Sequence, residues 1–165
     1  MKKITLVLAT AALFSTGMAQ AEDPLILPIQ RLSMDMAVKA AQATITACHK
    51  KGLNVAVTVI DRGGHAQAVH RDTLAMPITI EISQGKAYAA MNFNSATSGL
   101  EDRFKTPYGP PSIGGLITSA GGLPINAGGS ILGGIGVSGA PSGKDDEACA
   151  QAGLDAIIPD LEMEM

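Results

Sequence analysis

The sequence predicts an α+β domain in which an antiparallel sheet is flanked by helices, in the order α-β-β-α-β-β-β-α. Three observations carry this. Val- and Ile-rich Leu53–Asp61 and alternating His65–His70 are joined by Arg62-Gly63-Gly64 and read as a β-hairpin. Segments of helical periodicity stand before and after that hairpin. The glycine-rich stretch from Ile113 to Gly139 lacks the strand–helix alternation that a parallel sheet requires.

The chain opens with Lys2 and Lys3, an uncharged apolar run Ile4–Phe14, and small residues at Ala19 and Ala21. This is the layout of a secretory signal peptide, residues 1–21, cleaved after Ala21. The expected location is therefore the periplasm or the exterior. The alternative, an uncleaved anchor, fails on length, because a bilayer core needs about twenty apolar residues. No later stretch reaches that length, so no membrane anchor is expected. Residues 22–32 form an N-terminal extension, residues 33–160 the domain, and residues 161–165 a frayed tail.

Within the domain, Met34, Ala37, Val38, Ala41, Ile45 and Cys48 recur at helical steps between an N-cap at Ser33 and a stop at Gly52. After the hairpin, Asp72-Thr73 leads into a second helix. It has Pro77 near its first turn and Ile78, Ile82, Ala89 and Ala90 for an inner face, and it ends near Asn92. A short helix over Ser95–Arg103 follows. Lys105–Ser112 carries three prolines and reads as an irregular loop able to cover a site. Short apolar stretches then alternate with glycine pairs at 114–115, 121–122, 128–129 and 133–134. They read as three strands joined by glycine turns, the pairs also admitting close approach of backbone. Ser142–Glu147 starts a final helix with acids in its first turn and Ala148, Ala152 and Ile157 inward, ended by Pro159.

With three Phe, two Tyr and no Trp, the core must be filled by Ile, Leu, Val, Ala and Met. Loss of the signal leaves ten Lys and Arg against fifteen Asp and Glu, a net charge near −5. That balance argues against nucleic acid and against an anionic membrane surface. Cys48 and Cys149 are the only cysteines. In an oxidising compartment they read as a disulfide closing a loop of about 100 residues; the alternative is two buried thiols.

No catalytic constellation emerges. The glycine runs match neither a phosphate loop nor a dinucleotide fingerprint, and Gly136-Val137-Ser138-Gly139 is out of frame for a nucleophile elbow. His65 reads as a solvated turn residue, and His70, five positions on, faces the other side of the sheet. His49 reads as a boundary histidine on the first helix, with axial ligation of an iron porphyrin as the functional alternative. Arg71-Asp72 reads as an ion pair or cap, and Asp145-Asp146-Glu147 as dipole-favoured acids rather than a cation site.

The ordered motifs V-x-V-I-D-R-G-G-H (Val57–His65), H-R-D (His70–Asp72), Gly85-Lys86-Ala87, Gly121-Gly122-Leu123-Pro124-Ile125 and Gly133–Gly139, with the acidic start of the last helix, resemble the GlcG/HbpS family, the haem-degrading domain that includes the C-terminal domain of PduO. The resemblance covers about residues 33–158. It implies a profilin-like fold, homo-oligomers (often octamers), haem or iron binding, and, in an exported branch, a sensor-kinase partner. It points to His49 as metal ligand and to Lys86 and His70 as further cofactor-binding residues, Lys86 facing a propionate or reading simply as a surface lysine. Thr73 stands where the family has glycine. The expected function is an exported haem-binding oligomer, at most weakly haem-degrading, its pocket between subunits near the first helix and Lys105–Ser112. The alternatives are an organic-acid binding module and an enzyme on an organic substrate.

Overall fold

The computed structural model describes residues 24–104 and 114–165. Ser33, in extended backbone, accepts from the Met36 N–H and starts α1 (Met34–Lys50), and Gly52 at φ 71° follows its end. The buried face of α1 is Ala37, Ala40, Ala41, Thr44, Ile45 and Cys48; Met34 and Val38, expected inward, are exposed. The hairpin forms as expected, from β1 (Ala56–Asp61) and β2 (Ala66–Arg71). Its turn is built around Asp61, whose carboxylate accepts from the backbone N–H groups of Gly63 and His65.

α2 (Thr79–Phe93) begins after Pro77, so Ile78 lies outside it and is exposed. A single 3-10 turn, Thr97–Gly99, replaces the expected short helix. Among the described residues the glycine-rich region gives two strands, β3 (Gly122–Ala127) and β4 (Ser130–Ser138), rather than three. Of the four glycine pairs only Gly128-Gly129 is a hairpin turn, at φ 52° and 76° between paired Ala127 and Ser130. Gly133-Gly134 instead lies inside β4, where it continues one strand rather than separating two.

The sheet has the order β2-β1-β4-β3, and every pairing is antiparallel. Both faces of β1 are buried because both faces of the sheet are covered. On one face lies the main core, with Ala41, Ile45 and Cys48 of α1 and Leu154 against Val57, Val59, Ile135 and Val137. On the other, α2 sits so close that a Cβ on Gly136 would fall 2.0 Å from the Ser83 carbonyl oxygen. A sequence poor in aromatics thus closes its second layer by bringing backbone to backbone.

Ser142 caps α3 (Gly143–Asp155) by accepting from the Asp145 N–H. Its inner residues are Asp146, Cys149, Ala150, Gly153 and Leu154, while Ala148 is exposed. Pro159 starts a further helix, α4 (Ile158–Glu164), so the expected frayed tail is helical up to its last residue. Cys48 and Cys149 are bonded, joining α1 to α3 across 101 positions. Closing a loop of that length contributes about 5 kcal/mol in the chain-entropy model.

Candidate functional site

His49 occupies the last turn of α1, one residue after disulfide-bonded Cys48, and its side chain is half exposed. Asp72 follows β2 and is fixed beside β1 by its N–H, which donates to the Val55 carbonyl at 2.9 Å. These two anchors bring the side chains together: His49 Nε2–H donates to the Asp72 carboxylate. That hydrogen bond, reinforced by the imidazole charge and the N–H groups of Leu74 and Thr73, holds the Asp72 carboxyl below the ordinary carboxylate range.

Arg71 is not the partner of Asp72's carboxylate. Its guanidinium donates to the carbonyls of Asp72, Thr73 and Ala75 and so ties down the turn that carries Asp72. Thr73, in the place of the family glycine, presents one of these carbonyls. His70 is two residues beyond Ala68, which packs into the core under α1, so it shares that side of β2. Among the described residues its ring has no hydrogen-bond partner. Ile45, His49, His70, Arg71, Asp72 and Thr73 line one open pocket of about 380 Å³. The structure therefore unites His49 and His70, which the sequence had associated only through family resemblance.

Chemically, the pair is a carboxylate–imidazole arrangement. With Asp72 accepting from Nε2–H, the neutral His49 ring is oriented with its Nδ1 lone pair free. The donor set thus fits an axial ligand to haem iron. Its volume lies at the small end of ligand sites, about 300–1,000 Å³, so the pocket of one chain encloses only part of a porphyrin.

Lys86 is not a surface lysine, and it is not among the residues lining the His49–His70 pocket. It is buried on α2, where Nζ donates to the Asp146 carboxylate at 2.9 Å and to the Val137 carbonyl at 2.9 Å. Burial pushes the Asp146 carboxyl above its ordinary range, against the Lys86 hydrogen bond and the Ala140 N–H. Asp146 also breaks up the acidic run, because Asp145 turns to Ser142 and Glu147 accepts from Ser98. Among the described residues no group of three or more His, Cys, Asp or Glu side chains is arranged to hold a bare metal ion. His65 stays in the turn, 3.4 Å from Asp61 and largely exposed. A larger groove of about 900 Å³ between α1 and α3 is lined by Val38, Ala43, Ala47, Ala152 and Ala156 with lysines at its rim, and holds no imidazole. The loop Lys105–Ser112 lies outside the described residues.

The model of a haem-degrading, HbpS-like protein matches residues 32–155. The chain belongs to the HbpS-like family. GlcG of Escherichia coli K12 is 34% identical over 108 residues, 65% of this chain and 81% of GlcG. A crystal structure of an HbpS double mutant from Streptomyces reticuli superposes with a TM-score of 0.76 at 35% identity, covering 89% of this chain and 97% of that one. PduOC, solved as a haem complex, gives 0.72 at 27% identity, covering 77% and 95%. As an HbpS-like domain the chain keeps the four-stranded antiparallel sheet flanked by helices, and its His49–His70 pocket sits at the open end of β2.

Proposed function

We propose that this protein is an exported haem-binding oligomer, with haem held at the His49–His70 pocket. One observation carries the reading: two imidazoles share a pocket, and one of them is oriented by a carboxylate. The haem complex of PduOC and the family description support the cofactor. His49 and His70 would hold the haem through their imidazoles, and Ile45 would give an apolar contact. Bound haem would bring the iron chemistry; the residues here bind and orient. Haem degradation is a minor activity in this reading, and a sensor kinase is the proposed downstream partner of an octamer.

Export rests on the signal-peptide layout of residues 1–21 and accords with a buried Cys48–Cys149 disulfide, a bond kept in oxidising compartments. Intact mass of the periplasmic protein should correspond to a chain beginning at Glu22.

Titration of the mature protein with haemin should shift the Soret band, with the shift weakened by His49→Ala and by His70→Ala. An unchanged spectrum at micromolar haemin removes the haem reading. The small pocket, with His49, His70 and Arg71 on its walls, favours an organic acid as the second reading. Thermal stabilisation by small carboxylates but not by haemin would select it.

A further inference from the structure

The two edges of the sheet are treated differently. β3 is guarded: Pro124 lacks an N–H, Asn126 donates to Asn94, and the β3–β4 turn is held to α4 by the Gly128 N–H on Glu162. β2 is not. Among the described residues its outer side makes no backbone hydrogen bond, and it carries neither Pro nor Lys. A bulge at Gln67, where Val59 pairs Ala68 and Ile60 pairs Ala66, leaves Ala68–Arg71 as its regular stretch.

On this strand and in the segment that follows it, four apolar side chains are exposed. Val69 is 43% exposed, Leu74 78%, Met76 64% and Ile78 51%. Together they offer on the order of 400 Å² of apolar surface, as much as the largest patch on a typical monomer. One side of a standard interface buries about 800 Å², and the strand edge with Ala66, His70 and Arg71 adds to the patch.

We propose that this face docks a second copy of the chain, the two β2 strands pairing antiparallel about a twofold axis. The inference rests on the oligomeric reading above and specifies its surface. The strand is self-complementary: pairing Val69 with Val69 of the partner subunit, and Ala68 with the partner's His70, sets like faces together and keeps the two arginines at opposite ends. Because His70 and Arg71 also line the pocket, the second copy borders the ligand site.

Sedimentation velocity of the mature protein, beside Val69→Lys, Leu74→Glu and, on the α1 groove, Val38→Glu, tests this. The first two should halve the native mass and Val38→Glu should leave it unchanged. Wild-type mass retained by both β2-side variants overturns the surface while leaving the oligomer intact; a monomeric wild type overturns both. If those variants fold poorly, hydrogen exchange on the wild type decides instead. The outward amides of Ala68–Arg71 should be protected at high concentration and exchange on dilution, and exchange independent of concentration overturns the proposal.

Discussion

The Asp72 carboxylate accepts a hydrogen bond from His49, joining the end of β2 to the last turn of α1 across 23 positions of sequence. It fixes one imidazole nitrogen and leaves the other for a ligand. Asp72→Asn should therefore weaken haemin binding by about 10–100-fold, the usual effect of losing an orienting partner, with the fold retained. Haemin titration with a parallel melting curve measures this; unchanged affinity would make the contact structural only.

Acid should loosen this corner and the β1–β2 turn at the other end of the hairpin. Asp72 is held low by His49. Burial alone would raise Asp61, but N–H donation from His65 and Gly63, with the charges of His65 and Arg31, leaves it below its ordinary value. A carboxylate whose folded pKa is depressed contributes stability above its unfolded value, 3.8 here, and loses it as pH falls through the folded value. Melting temperature should drop below about pH 4, and the drop should flatten in Asp61→Asn and Asp72→Asn.

The Lys86–Asp146 pair ties α2 to α3 with both groups buried. Removing one partner strands a charge. Lys86→Met alone should cost about 3–5 kcal/mol by urea denaturation. In Lys86→Met/Asp146→Leu much of this should return, short of the full amount, because the Ala140 N–H that Asp146 accepts is left without its partner. A double variant no more stable than the single one would contradict this account.

Gly136 admits α2 onto the sheet. Gly136→Ala sets a methyl carbon against the Ser83 carbonyl, where backbone cannot yield as a side chain can. A loss of about 3 kcal/mol or more is expected, at or beyond the upper end of overpacking costs. Gly129→Ala, in open space at a positive φ, should cost less; chemical denaturation of the two variants orders them.

The element order up to the second helix, the caps Ser33 and Ser142, the hairpin and the family motifs were all legible in the sequence, because each depends on residues within a few positions of one another. The glycine pairs misled for the same reason. Locally they read as turns, yet Gly133 and Gly134 are strand residues opposite Asp61 and Ile60, with Gly134 and Gly136 facing the α2 backbone. His49 was visible as a candidate, but Asp72 as its partner was not; sequence alone set Asp72 beside Arg71, and the fold turned the guanidinium to three carbonyls instead. Lys86 carried no local sign of its partner 60 positions away. Periodicity and capping act over one or two turns of chain, so the sequence by itself determined the helices, the hairpin and the fold class. Which side chains meet depends on how α1, α2 and α3 pack against the sheet, and that packing alone decided that His49 and His70 share a pocket and that Lys86 does not reach it.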